Sequence, residues 1–227
     1  MKSIVIQKLT RKEEQLVREI LETWNRKKAN APRKRLISTK TLFSLLKKDE
    51  QALVEKILTI NPTPLGWKGE WHGILDAPHN LVRVETHVDV GGGCHYLPKK
   101  AHHAFLAMNK AFHDELRTWL YLESGYRSSA YQIMLFLEQL EKNAFNMKKT
   151  ARRVALPGWS EHGAPHIQAL DFTTKRALEG KKEDFAKTPH YAWLLENARD
   201  FGLHLSYPKN NKLGVMFEPW HWRYASE

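Results

Sequence analysis

Apolar residues in the first sixty positions recur at helical spacing in a charged background. The first such pattern predicts an amphipathic helix whose apolar positions are Leu9, Leu16, Val17, Ile20, Leu21 and Trp24. A basic, proline-containing stretch at 25–35 interrupts this pattern. Ser38 or Thr39 can then cap a second helix, and residues 52–60 predict a third. We therefore expect a small helical segment over residues 1–61.

From residue 62 onward, short alternating runs broken by glycine mix with longer helical patterns. Residues 81–90 and 120–122 predict strands, whereas 100–116 and 130–140 predict helices. Residues 214–224 predict a last strand, which Pro219 interrupts. Strands and helices that alternate in no strict repeat favour the α+β class over a parallel doubly wound sheet. We expect residues 62–227 to form one domain.

Composition and charge limit the classes of protein that fit this chain. With 227 residues and 42% apolar content, the chain is long enough for a well-filled core. Cys94 is the only cysteine, which excludes an intrachain disulfide. A net charge of +11 favours contact with polyanions, although charge alone does not choose among nucleic acid, an envelope polymer and an anionic surface.

No targeting or membrane segment is predicted. The apolar run at residues 4–6 is too short for the core of a signal peptide, and no later stretch reaches membrane-spanning length. We therefore expect the protein in the cytoplasm, or outside the cell after lysis or export by a non-standard route.

Two stretches carry residues that could form a metal site. Residues 159–172 contain His162, His166 and Asp171, and Glu218 and His221 flank Pro219 near the C-terminal end of the sequence. Residues three apart on a regular strand face opposite ways, so Glu218 and His221 need a bend to share a site, and a proline makes that bend plausible. A glutamate beside a metal-binding histidine is typical of hydrolytic zinc sites, in which it takes a proton from water.

Arg127 follows a glycine at a predicted corner between a strand and a helix. This position suits a rigid guanidinium group that projects into a cleft. There it can bind a carboxylate or a developing oxyanion.

Three ordered motifs resemble those of the zinc D-alanyl-D-alanine carboxypeptidases and dipeptidases of the vancomycin-resistance type. This family shares a fold with hedgehog signalling domains and includes phage endolysins. The matching residues are Ser124-Gly125-Tyr126-Arg127-Ser128 with Gln132, then Ser160-Glu161-His162 with Ala169-Leu170-Asp171, then Glu218-Pro219-Trp220-His221. The resemblance spans residues 81–224 and leaves out the N-terminal helices.

The resemblance implies a fold, a cofactor and a role for each matched residue. The fold is an antiparallel sheet with flanking helices, and the cofactor is one zinc ion per chain, held by His162, Asp171 and His221. Glu218 is then the general base, and Arg127 stabilises the oxyanion. The residues expected to hold the substrate are Ser160, Ser124 and Gln132.

One departure from the family pattern leaves the first histidine ligand open. His162 precedes Asp171 by nine positions, whereas the family spacing is seven, so two residues are inserted. His166, five positions before Asp171, is therefore an alternative ligand. Ser160, two positions before His162 as in the family motif, favours His162, and His166 would then line the rim of the site or face solvent.

The substrate implied by the resemblance is the D-alanine-containing stem peptide of peptidoglycan, or a muropeptide. The expected reaction is release of the terminal D-alanine. One alternative is endopeptidase cleavage between L-alanine and D-glutamate. Another is a binding module for metal or polyanion that has lost catalysis. An anionic wall polymer is a possible further partner, whereas nucleic acid and a membrane span are not expected.

Overall fold

Long amphipathic helices alternate with short strands in the computed structural model, which describes residues 8–27, 31, 33–85, 87–89, 94–164, 166–174 and 182–225. In chain order the helices and strands are α1 (Arg11–Lys27), α2 (Thr39–Ser44), α3 (Lys48–Leu58), β1 (Leu81–Arg83), β2 (Tyr96–Pro98), α4 (Lys99–Leu116), β3 (Tyr121–Ser124), α5 (Ser129–Lys142), α6 (Met147–Ala151), β4 (Ile167–Thr173), α7 (Pro189–Asn197), β5 (Leu203–Leu205) and β6 (His221–Ala225). The predicted α+β class and the N-terminal helices are confirmed.

The chain divides into two compact units, and the first is helical. It comprises the described parts of residues 1–77, 127–160 and 211–216. Helix α1 turns its predicted apolar stripe inward, and apolar residues of α3 and α5 belong to the same buried cluster. Ser38 caps α2, because its hydroxyl accepts a hydrogen bond from the backbone N–H of Thr41 at 3.1 Å. The domain boundary predicted after residue 61 stays a prediction.

The second unit contains the main sheet. It comprises the described parts of residues 78–126, 161–210 and 217–227. Four antiparallel strands lie in the order β3-β4-β6-β5, and β1 pairs separately with β2. Helices α4 and α7 contribute to the same apolar core as the sheet, through side chains that include Phe105, Phe112 and Trp193. Strand β4 is central, which explains why all its residues after Ile167 are buried.

Two predicted strands are shorter in the structure. Strand β1 covers only the first three positions of 81–90, and Asp89 instead forms an isolated parallel bridge with Leu122. The strand predicted over 214–224 begins only at His221. The bend predicted at Pro219 is present as a turn, in which the N–H of His221 donates to the carbonyl oxygen of Glu218 at 3.1 Å.

Among the described helices, none combines the length and the apolar character that a membrane crossing requires.

Candidate metal centre

The register of the sheet places three polar residues side by side in the second unit. On β4, Asp171 pairs with Ser124 of β3 on one side and with His221 of β6 on the other. Directly paired residues on neighbouring strands project to the same face of a sheet, which brings their side chains close together. Strand pairing therefore joins two of the predicted ligands, although they lie fifty positions apart in the sequence.

His162 completes the cluster from a 3₁₀ turn at Glu161–Gly163, just before β4. Its Nε2 lies 3.3 Å from Oδ2 of Asp171, and its ring stands nearly perpendicular to that of His221, with 5.0 Å between centroids. One ligand atom from each of His162, Asp171 and His221 lies within 4.8 Å of the others, and all three residues are buried. Two imidazoles and one carboxylate in this arrangement can hold a metal ion.

Each histidine uses its second ring nitrogen in a hydrogen bond outside this cluster. The Nδ1–H of His162 donates to the backbone carbonyl of Gly125 at 2.8 Å. The Nε2–H of His221 donates to Oε2 of Glu161 at 2.9 Å, while its Nδ1 lies 3.0 Å from Oδ1 of Asp171. Outer partners of this kind orient metal-binding imidazoles and raise their basicity.

Glu161 is a buried acid for which the sequence predicted no role. Burial raises its pKa, but the hydrogen bond and charge of His221, together with Ser206 and Arg223, hold the pKa at about 2. Burial lowers the pKa of His221, yet its bonds to Asp171 and Glu161 raise that pKa to about 10. The ring of His221 thus lies between the carboxylates of Asp171 and Glu161. Nothing in the local sequence signals this, because Glu161 and His221 lie sixty positions apart.

Glu218 lies beside the cluster because of the turn at Pro219. Its Oε2 is 3.7 Å from Nδ1 of His221, and the residue is only 8% exposed. The backbone N–H of Glu218 donates to the carbonyl oxygen of Tyr207, whose ring lies 4.8 Å from that of His221. Burial, and then the charges of Glu161 and Glu218, raise the pKa of Tyr207 well above its usual value. Tyr207, also missed from the sequence, is therefore a neutral hydroxyl next to this centre.

The remaining predicted site residues belong to the first unit or lie outside the cluster. Arg127 and Ser160 are half-buried, and Gln132 is buried and donates from Nε2 to the carbonyl oxygen of Ala155 at 2.8 Å. The roles of these three residues stay predictions. His166 is exposed just before β4 and is not part of the described metal-binding cluster.

Gly125→Ala is expected to loosen this centre. A Cβ at position 125 would lie 2.6 Å from the carbonyl oxygen of Tyr96, so the backbone that holds His162 must move. Overpacking of this kind costs about 1–3 kcal/mol, which denaturant unfolding measures, and zinc affinity should fall with it. Gly69→Ala is the control for zinc affinity, because a Cβ there would press on the side chain of Trp67 in the first unit and not on the backbone beside His162. A Gly125→Ala protein with unchanged stability and zinc affinity would contradict the expectation.

Two histidines and one aspartate beside an antiparallel sheet, with a glutamate next to them, are typical of a metallohydrolase site. A protein-family comparison agrees with this class: the model of VanY, D-alanyl-D-alanine carboxypeptidase, matches residues 94–227. The chain belongs to the VanY D-alanyl-D-alanine carboxypeptidase family. The family resemblance that the three motifs predicted is thereby confirmed.

Individual relatives are similar over part of the chain. The protein YodJ of Bacillus subtilis (strain 168) is 33% identical over 106 residues, which are 46% of this chain and 37% of YodJ. The bifunctional D-Ala-D-Ala dipeptidase and carboxypeptidase VanXYC of Enterococcus gallinarum is 29% identical over 46% of this chain and 55% of its own length. The chain thus spans about half or less of these curated relatives.

Among solved structures, the LdcB LD-carboxypeptidase is similar with a TM-score of 0.60 and 25% identity. The match covers 76% of this chain and 79% of that one, and that structure concerns peptidoglycan recognition. VanYB in complex with D-alanine-D-alanine has a TM-score of 0.52 at 22% identity, which supports the fold.

Proposed function

We propose that this chain is a zinc-dependent carboxypeptidase that releases the terminal D-alanine from peptidoglycan stem peptides ending in D-alanyl-D-alanine. One observation carries the proposal: in a member of this family, the carboxylate of Glu218 lies next to a buried cluster of two histidines and an aspartate. A module that only binds metal has no use for a glutamate at this place, whereas a hydrolase needs a base there.

The chemistry of the cluster suits a divalent cation. His162, Asp171 and His221 are donors that zinc prefers, and three protein ligands leave one position for water. The carboxyl groups of Asp171, Glu161 and Glu218 lie within 3.7 Å of the ring nitrogens of His221, an arrangement that favours a bound cation. When bound, zinc polarises the scissile carbonyl and lowers the pKa of the attacking water.

The side chains then have separate tasks in hydrolysis. Glu218 accepts the proton of the attacking water and returns it to the leaving amine of D-alanine. Arg127 donates hydrogen bonds to the oxygen on which negative charge develops. The groups proposed to hold the terminal carboxylate of the substrate are Ser124, Ser160 and Gln132. These three offer hydroxyl or amide donors, which suit a carboxylate.

A second candidate is release of D-alanine from a stem peptide in which the preceding residue has the L configuration. The similarity to the LdcB LD-carboxypeptidase supports this reading. Both reactions free a terminal D-alanine and need the same base and metal. They differ in the residue before the scissile bond, which is D-alanine in the first reaction and a residue of the L configuration in the second.

Mass spectrometry of the products from defined stem peptides tests the proposal. We expect the zinc-loaded protein to remove one D-alanine from a pentapeptide that ends in D-alanyl-D-alanine, and to process the tetrapeptide product more slowly. Preference for the tetrapeptide would favour the second candidate instead. Cleavage between L-alanine and D-glutamate would identify an endopeptidase. If zinc-loaded protein cleaves no stem peptide or muropeptide, a non-catalytic binding module replaces the proposal.

A further inference from the structure

Glu161 is a buried carboxylate to which the proposed mechanism gives no task. It is 6% exposed and directly precedes His162 in the sequence. Its Oε2 nevertheless lies 2.9 Å from Nε2 of His221, which belongs to strand β6. The side chain of Glu161 therefore contacts a candidate ligand that is distant in the sequence.

The two histidines of the cluster are held by partners of different kinds. The second nitrogen of His162 donates to the backbone carbonyl of Gly125, which is a neutral acceptor fixed by the main chain. That of His221 donates to a side-chain carboxylate. Which of the two nitrogens of an imidazole binds a metal depends on the hydrogen bond that the other nitrogen makes. For His221, this choice depends on Glu161.

The orientation of the His221 ring agrees with this dependence. Nδ1 faces Oδ1 of Asp171 at 3.0 Å and Oε2 of Glu218 at 3.7 Å, whereas Nε2 faces Glu161. Turning the ring over would exchange each nitrogen with a carbon and break the bonds at both ends. The carboxylate of Glu161 at Nε2 therefore disfavours the flipped ring. It keeps Nδ1 on the side of the other candidate metal ligands.

Two more residues hold the side chain of Glu161 in place. The hydroxyl of Ser206, which follows β5, donates to Oε2 at 2.5 Å. Arg223 on β6 donates from its guanidinium group to Oε1 at 3.2 Å. With His221, three donors hold the two oxygens. A carboxylate fixed in this way is a rigid outer partner, and Arg223 balances its charge.

We propose that Glu161 is a positioning residue, which keeps the proton of His221 on Nε2 and so presents Nδ1 to the metal. The inference rests on the metal centre of the proposed function, but not on the peptide that the enzyme cleaves. An ionised acceptor also makes the imidazole a stronger ligand than a neutral one would. Loss of the Glu161 carboxylate should therefore weaken metal binding more than it weakens the fold.

Zinc affinity of the metal-stripped protein, measured by competition with a chromophoric chelator, tests this role without any peptide. Glu161→Gln keeps the size of the side chain, loses its charge, and should bind zinc about 10–100-fold more weakly than the wild type. Glu161→Asp keeps the charge, but its side chain is too short to reach Nε2 of His221 as closely. Its zinc affinity should therefore lie between those of the wild type and of Glu161→Gln. Glu196→Gln is the matched control, since it makes the same chemical change at an exposed position of α7. Its affinity should stay within about threefold of the wild type.

Nitrogen-15 NMR of the histidine rings gives a second measurement. In zinc-loaded wild-type protein the proton of His221 is expected on Nε2, and in Glu161→Gln its signal should shift or broaden. Thermal unfolding shows whether each variant is folded. If Glu161→Gln does not fold, the zinc affinity of Glu161→Asp decides the test. A folded Glu161→Gln protein that binds zinc within about twofold of the wild type, with an unchanged His221 signal, would overturn the role of Glu161. Wild-type protein that binds no zinc would instead contradict the metal centre of the proposed function.

Discussion

Glu218→Gln is expected to keep its zinc and to lose turnover of the D-alanine peptide by about 100-fold or more, the usual effect of losing a general base. The carboxamide has nearly the same shape but cannot accept the proton of water at neutral pH. Glu218 lies outside the set of three converging ligand atoms, so we expect metal binding not to depend on it. The measurements are kcat on the pentapeptide and the zinc content of the purified variant.

The matched control is Glu196→Gln, which makes the same chemical change at an exposed position of α7. Activity there should equal that of the wild type. Near-normal turnover in Glu218→Gln would remove Glu218 from the role of base. Loss of zinc in that variant would mean that Glu218 is a ligand.

The long helices could be predicted from the sequence because their signal is local. In α1, α4 and α5 the apolar residues repeat with the period of the helix, and each predicted range lies within a few residues of the observed one. The cap of α2 could be predicted as Ser38 or Thr39 for the same reason, since a capping hydroxyl and the backbone N–H that donates to it lie close together in the sequence, three residues apart for Ser38.

The short strands could not be predicted in this way, because pairing rather than periodicity defines them. Strand β5 has only three residues and was not predicted, and its place in the sheet depends on β6. Strand β1 ends at Arg83, although the alternating pattern continues to residue 90. A run of alternating residues shows that a strand is possible, but its length depends on the partner that the fold supplies.

The motifs predicted the candidate site as a set of residues, whose roles stay predictions. The motifs named His162, Asp171, His221 and Glu218, and the structure brings these four together through the register of β4 with β6 and the turn at Pro219. Glu161 and Tyr207 carry no such signal, because their relation to His221 exists only in the folded chain. A glutamate beside a histidine in sequence does not reveal which histidine it will contact.

The inserted residues before β4 left two histidines as candidate ligands, and metal analysis of variants separates them. His162→Ala is expected to lose its zinc, with affinity reduced by more than about 100-fold, because loss even of an outer partner costs about 10–100-fold. His162 is 2% exposed and hydrogen-bonded on Nδ1, and its Nε2 faces Asp171. His166→Ala should keep about one zinc per chain, since His166 is exposed to solvent.

A second substitution at position 162 distinguishes loss of a metal ligand from loss of the fold. Removing a buried imidazole leaves a cavity and takes one neighbour from the carboxylate of Asp171, so His162→Ala can also lower stability. His162→Gln fills most of that space and still lacks the imidazole nitrogen, so a folded Gln variant without zinc identifies a ligand. Unfolding midpoints of the metal-stripped proteins show which variants are folded. Zinc retained in His162→Ala and lost in His166→Ala would assign the site to His166, and the two inserted residues would then have moved the metal toward the start of β4.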